Sequence, residues 1–291
     1  MPEIDFVHPK YHIADNLLSI QHMRRKGVTA MPKPHSHTVV ELYYLAQGER
    51  VYFVDDQIVT VHKGELMMIP PHVLHATASS DKAEFERILI HYAPAVLPSR
   101  LNTELRLLSK QRFRVYRLSL REQTEIERLL KSMLEECSHR REDYECYVSA
   151  LFTELFILLQ RSKSSSTTSL AAIKHPLHSK VTEITTYLRQ NYRDSITLDD
   201  TAKRFYVSSS YLSRIFHRLT GFHFREYIIQ LRIMESQKQL TESRSKIQEI
   251  ASAVGFEHLS HFNKTFKKAT GMTPMQYRNE AKRQKSEARK D

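Results

Sequence analysis

The spacing of apolar positions divides the chain into stretches of different period. In the first 98 residues, apolar and polar side chains alternate in short runs: Glu41–Leu45, Arg50–Val54, Ile58–Val61 and Phe85–Tyr92, punctuated by Gly and Pro. A period of two predicts strands, and short strands joined by turns predict an all-β barrel or sandwich over residues 1–98. Asp55, Asp56 and Gln57 read as the tip of a hairpin. Further on the period lengthens. Ile126, Leu129, Leu130, Met133, Leu134 and Cys137 fall on one helical face. After a polar break at Arg140–Asp143, a second helix carries Tyr147, Val148, Leu151, Phe152, Leu155, Phe156, Leu158 and Leu159, apolar over more than one face. It must bury against the barrel, a neighbouring helix or a second subunit. Residues 99–161 are therefore expected to be a helical connector, with core packing and dimerisation both open. The Ser/Thr-rich run at 162–177 lacks core-forming side chains and predicts a linker.

Residues 178–291 read as helical almost throughout, and they repeat. The run from Ile215 to Gly221 resembles the run from Thr265 to Gly271, so a basic helix ends twice at a glycine suited to a left-handed cap. Upstream of each lies a short helix centred on a small residue, Ala202 or Ala251. Two short helices crossing at a small residue, with a tight turn between them, make a helix-turn-helix. Gly255 fits the second turn, whereas Tyr206 stands at that place in the first and predicts a looser turn with a backbone that is not left-handed. Ser208 is the expected N-cap of the helix that follows.

Charge reinforces this division. The chain carries +11, and from Pro176 onward 21 Lys and Arg face 12 Asp and Glu, which places +9 in the last part alone. A nearly neutral first part joined to a basic second part suggests a polyanionic partner for the latter. With 41% hydrophobic and 26% charged residues, the composition fits a folded protein, and no apolar run approaches the ~20 residues of a membrane span. The opening residues show no basic-then-apolar signal pattern, so the expected location is the cytoplasm and no membrane partner is expected. Cys137 and Cys146 fit that compartment as small buried or half-buried residues.

Ile247, Ile250, Ala251, Val254, Gly255, Phe256, Phe262, Phe266, Lys267, Gly271, Thr273, Pro274, Tyr277 and Arg278, at these spacings, resemble the signature of the AraC/XylS family of transcription regulators. Ser208, Tyr211, Leu212, Arg214, Phe216 and Gly221 are similar to the family's first unit. The resemblance covers about residues 180–280. It implies double-stranded DNA as partner, with the second helix of each unit in a major groove. The base-facing candidates are Ser209, Ser210, Ser213, Arg214 and Arg218 in the first unit. In the second they are His258, Leu259, Ser260, His261, Asn263 and Lys264. Arg214 leads, because a guanidinium can donate two hydrogen bonds to guanine. Lys203, Arg204, Arg225, Lys267 and Lys268 are candidate phosphate contacts. A connecting helix over about Arg225–Leu240 would span ~24 Å and let one chain read two successive grooves.

In the first part, His35, His37, Glu41 and Gly48, followed by Gly64, Pro70 and His75, resemble the two motifs of the cupin superfamily. His72 stands where that pattern has Gly, and Ser79 where it has Asn. The resemblance implies a small β-barrel in which His35, His37, Glu41 and His75 converge; His35 and His37, two apart, share one side of a strand. Such a set suits a divalent transition metal such as Fe, Mn, Ni or Zn. The same residues, with Tyr43, are equally candidates for an effector pocket, and Tyr52 and His91 for its walls. The expected fold class is α+β and multidomain: a cupin-like barrel, a helical connector and an all-α tandem helix-turn-helix domain. The leading reading is a DNA-binding regulator acting as a homodimer and modulated by a small effector, a sugar or related metabolite, with RNA polymerase as a further partner. The alternatives are a metal-dependent cupin dioxygenase or isomerase, and a nucleoid protein binding DNA without sequence preference.

Overall fold

A computed structural model describes residues 5–26, 33–78, 84–102, 113–162, 165–166 and 176–287. The chain divides into two compact units, one over Met1–Val181 and Arg218–Gly221 and the other over Thr182–His217 and Phe222–Asp291.

The first unit is built on the strands β1 (Phe6–Val7), β2 (Tyr11–Ile13), β3 (Leu18–Lys26), β4 (Val40–Val54), β5 (Gln57–His62), β6 (Glu65–Ile69), β7 (His75–Ala78), β8 (Glu84–Tyr92), β9 (Arg114–Arg117) and β10 (Ser165–Ser166). The main sheet runs β1-β3-β8-β4-β6-β9-β10, and β5 and β7 pair with the far half of β4. The 15-residue β4 therefore belongs to two sheets, and it turns the corner at a register shift between Leu45 and Gln47. Gly48 completes that corner at φ +89°, where a Cβ would lie 2.3 Å from the Glu84 carbonyl oxygen. Asp55 and Asp56 both have positive φ (47° and 67°) and join Val54 to its partner Gln57. That is the primed two-residue turn whose twist matches an antiparallel pair.

Alternation sorts the side chains of the main sheet. Tyr43, Leu45, Tyr52, Met67, Ile69 and Phe85 fill the barrel. Val40, Leu42, Tyr44, Leu66, Met68, Ile88 and Ile90 face the other way, onto helices α1 (Leu120–His139) and α2 (Tyr144–Arg161). Helix α1 starts at a Ser119–Glu122 capping box, which satisfies first-turn amides. Phe152 and Phe156 of α2 pack on Tyr92 at 4.9 and 6.0 Å between ring centroids. Burial of each such ring stabilises by about 1.5–3 kcal/mol. The apolar faces of both helices are thus consumed within the chain.

Two boundaries differ from the sequence reading. The stretch assigned to a helical connector contains β9, which pairs with β6, and the linker run contributes β10, which pairs with β9. Both belong to the barrel sheet because their backbone groups complete its edge, a long-range pairing with no local periodic signal. Helix α3 (Pro176–Asn191) also begins two residues before the expected start at 178.

The second unit continues from α3 with α4 (Leu198–Arg204), α5 (Ser209–Thr220), α6 (Phe224–Glu242), α7 (Ile247–Ala253), α8 (Leu259–Thr270) and α9 (Pro274–Glu287). Ile233 and Leu240 of α6 share a core with Ile250, Ala251, Val254, Phe256, Phe262 and Phe266, and Tyr277 of α9 packs against it. Arg278, nearly buried, donates from Nη2 to the Ser245 carbonyl at 2.7 Å and pins the loop after α6.

Candidate nucleic-acid interface and barrel site

The two helix-turn-helix units close by the same backbone device. In the first, the Val207 amide donates to the Ala202 carbonyl (3.0 Å) and the Tyr206 amide to Lys203 (3.2 Å). In the second, the Phe256 amide donates to Ala251 (2.9 Å) and the Gly255 amide to Ser252 (3.0 Å). This is the paired bonding of a Schellman cap, which needs a left-handed residue at its hinge. Gly255 supplies it at φ +93° and Tyr206 at φ +55°. The looser first turn expected from Tyr206 is therefore corrected: its backbone is left-handed and its turn closes with the same pair of bonds. The hydrogen bonds of the cap override the residue's intrinsic preference.

Helix α5 begins at Ser208, whose Oγ accepts from the Tyr211 amide at 3.2 Å. Leu212, Ile215, Phe216 and Leu219 are buried, while Ser210, Arg214 and Arg218 are exposed and Ser213 is half-buried. Ser209 is committed elsewhere: its hydroxyl donates to Asp199 Oδ1 of α4. It locks the two helices together, so we reassign it from base contact to a structural clasp. Tyr211 and His217, both exposed on α5, were not among the sequence candidates, and the apolar spacing marks them as outward only once the helix bounds are known.

Helix α8 turns Phe262 and Phe266 inward and exposes His258, Leu259, Ser260, His261, Asn263, Lys264, Lys267 and Lys268. Lys203, Arg204 and Arg225 are exposed as well. Arg204 is not a bare cation, since its guanidinium lies 4.5 Å over the Tyr187 ring. Between the units, α6 has 19 residues rather than 16, or about 28 Å at the helical rise of ~1.5 Å per residue. Arg232 at its middle donates to the carbonyls of Tyr192 (2.8 Å) and Asp194 (2.9 Å), which fixes α6 to the end of α3.

At one end of the barrel, the sheet brings together His35, His37, Glu41, His75 and His91. His35 and His75 form a bridge in which each amide donates to the other's carbonyl at 3.0 Å. Glu41 of β4 lies directly across from His91 of β8. Its Oε2 stands 3.1 Å from His37 Nε2, 3.1 Å from His91 Nε2 and 3.6 Å from His75 Nε2. Burial alone would raise the Glu41 carboxyl, but the three facing imidazoles outweigh it and hold it well below the usual range. Burial also works to lower His37, yet its contacts with Glu41 and the Val39 carbonyl prevail and raise it. His35 is lowered by its burial and by the neighbouring His75.

The tautomers constrain what this cluster can hold. His37 Nδ1 is 2.7 Å from the Val39 carbonyl and His75 Nδ1 is 2.9 Å from the Val73 carbonyl. A carbonyl only accepts, so both rings carry a proton on Nδ1 and, when neutral, turn an Nε2 lone pair toward a buried carboxylate. His75 Nε2 is buried and makes no hydrogen bond. Lone pairs converging on an anion ask for a cation, and imidazoles locked through Nδ1 are the second-shell pattern of metal ligands. The ligand atoms of His35, His37 and His75 lie within 4.8 Å of one another, as do those of His37, Glu41 and His91. The expected set is thus brought together, with His91 added. His91 lacked a motif; its place is set by the β4–β8 register.

His72 meets the demand of the glycine position it occupies: its φ is +64°, and its amide donates to the His37 carbonyl at 2.8 Å. Ser79 lies outside the described residues. Tyr43 sits below the cluster, fully buried against Tyr52 at 5.1 Å between centroids, and burial pushes its hydroxyl up to about 12. It therefore forms core and does not line the effector pocket to which the sequence reading assigns it, and Tyr52 does the same. On the opposite face of the sheet a cleft of about 370 Å3 opens against α1, and there buried Tyr44 donates to Glu127 at 2.7 Å.

The chain thus combines a barrel that carries a cluster of His and Glu side chains with two consecutive helix-turn-helix units. Residues 28–164 match the AraC-like ligand binding domain and residues 201–280 match a helix-turn-helix domain family. One chain therefore carries both an AraC-like ligand binding domain and a helix-turn-helix domain. It is 31% identical over 157 residues to an uncharacterized HTH-type transcriptional regulator of Escherichia coli K12, covering 46% of this chain and 52% of that one. It is 34% identical over 122 residues to the Msm operon regulatory protein of Streptococcus mutans, covering 42% and 40%. With the HTH-type transcriptional activator RhaR of Salmonella dublin it shares 24% over 247 residues, 84% of this chain and 86% of that one. The chain thus spans about half the length of the first two relatives or less. No described helix is long and apolar enough to cross a membrane.

Proposed function

We propose that this protein is a sequence-specific DNA-binding transcription regulator whose activity is set by a small effector at the mouth of its barrel. The observation that carries the reading is the pair of helix-turn-helix units, each presenting an exposed polar face from a helix whose other face is buried. Arg214 is the leading base contact: it is exposed on α5, beside Ser210 and Ser213.

The His and Glu donor set fits a divalent transition metal. His37, Glu41 and His75 would hold it, with His35 completing the set, and the ion would supply a Lewis-acidic point for an effector oxygen. Exposed His35, half-buried His37 and His91, and the Lys10 ammonium 3.2 Å from His91 Nδ1 support an effector that enters from this end. A hydroxyl-rich metabolite of the sugar class matches these donors and acceptors. A homodimer and a contact with RNA polymerase belong to the same reading. Because α1 and α2 use their apolar faces internally, a dimer would use their outer surfaces, where Leu120 and Tyr147 are exposed. Action in the cytoplasm follows from the DNA partner.

The test is binding to genomic fragments, including the region upstream of the protein's own gene, at physiological salt. The reading expects a few fragments bound ~10³-fold or more above bulk DNA, and Arg214→Ala should lower that ratio. Uniform weak binding abolished by salt would replace it with sequence-independent binding.

A further inference from the structure

We propose that Tyr206 is a DNA-backbone contact, its phenol hydroxyl donating to a phosphate at the edge of the groove that α5 enters. This rests on the DNA-binding reading above. A left-handed backbone disfavours a residue with a Cβ, and Gly or Asn is the usual occupant of such a hinge. Tyr206 adopts it at φ +55° while remaining 94% exposed. Packing therefore gives nothing back. The hydrophobic work of the turn is done by its neighbour Phe205, which packs on Tyr187 at 5.7 Å between centroids. The hydroxyl has no hydrogen-bond partner among the described residues. A large aromatic held in a disfavoured conformation in open solvent has no account in the fold of the unit itself.

Its position supplies one. In a helix-turn-helix the second helix enters the major groove by its N-terminal end while the first crosses the sugar–phosphate backbone, so the turn between them lies over a strand at the groove edge. Tyr206 is two residues before the N-cap of α5 and follows the exposed cations Lys203 and Arg204. Tyrosine hydroxyls are among the donors that meet phosphate oxygens. The second unit cannot copy the device. A Cβ at Gly255 would lie 2.6 Å from the Arg193 carbonyl oxygen, so that hinge is closed to any side chain.

A phosphate contact is independent of sequence, so a random ~40-bp duplex at low salt is the probe, with the full-length chain. Tyr206→Gly should raise Tm by about 2–4 °C by relieving the hinge. It should also weaken duplex binding about 3- to 10-fold. Tyr206→Phe should weaken binding as much with no rise in Tm, and neither variant should change the salt slope, since no charge is lost. A structural role would move stability and affinity in the same direction. Wild-type affinity in Tyr206→Phe overturns the hydroxyl contact, whatever Tyr206→Gly does. If the unaltered chain binds no duplex, the DNA-binding reading itself fails, and the inference with it.

Discussion

Tyr206 and Gly255 occupy the same hinge in two consecutive turns, and each closes its turn with the same pair of backbone hydrogen bonds. Their surroundings differ. At Gly255 a Cβ would meet the Arg193 carbonyl oxygen at 2.6 Å and its Cα at 3.0 Å, whereas the Tyr206 side chain projects into solvent. Gly255→Ala therefore combines left-handed strain with a backbone collision that no side-chain rotation can relieve. We expect it to destabilise the second unit by about 2–4 kcal/mol. Urea denaturation followed by helical circular dichroism measures it. A loss below ~1 kcal/mol would mean that the end of α3 yields at Arg193 and that the close approach is not a fixed part of the fold.

Local pattern makes much of this legible in the sequence itself. Alternation alone places Glu41, Tyr43 and Leu45 on one face of β4 and Val40, Leu42 and Tyr44 on the other, and the helical period separates Phe262 and Phe266 from the outward side chains of α8. What stayed hidden depends on partners distant in sequence. His91 joins the cluster because the β4–β8 register sets it against Glu41. Strand β9 exists because β6 offers it an edge, and Ser209 is withdrawn from the base-reading face by Asp199 on the preceding helix. Tyr206 misleads in a different way: propensity argues against a left-handed tyrosine, and the cooperative closure of the cap prevails.

The barrel cluster predicts metal content. Protein purified without chelator should carry close to one divalent transition metal per chain by elemental analysis. His37→Ala and His75→Ala should each lose it, since both rings point a committed Nε2 at the site. Losing one of these ligands typically costs more than the 10–100-fold in affinity seen for second-shell changes. Chelation should also lower Tm of the unaltered chain and leave that of His75→Ala unchanged. Metal-free protein with an effector response unaffected by His37→Ala would make the cluster a plain polar pocket.

The two cysteines should separate cleanly. Cys137 is buried on α1 and burial pushes its thiol up to about 11, whereas Cys146 is exposed on α2, which corrects the expectation that both are covered. Only the thiolate reacts, so a maleimide at neutral pH should label Cys146 within minutes and Cys137 only after unfolding. Mass spectrometry of the native and denatured protein counts the labels. Rapid double labelling of native protein would show that α1 opens from the sheet on that timescale.

Cations on the DNA-binding unit should divide by what they touch. Lys203 and Arg225 are exposed, and Lys203→Ala or Arg225→Ala should weaken binding to all sequences alike and reduce the salt slope by about 1 each. Arg214→Ala should instead cost about 1–3 kcal/mol at particular base pairs and relax the preference there. Arg204 is the informative intermediate. Its guanidinium stacks on Tyr187, a side chain that also packs against Phe205 beside the hinge. Arg204→Ala should therefore lower both DNA affinity and stability, the latter by about 0.5–1 kcal/mol, whereas Lys203→Ala should leave Tm in place. Titrations at several salt concentrations, paired with thermal melts, resolve the three classes. If Arg214→Ala changes only the salt slope and no base preference, the sequence-reading role passes to the exposed residues of α8.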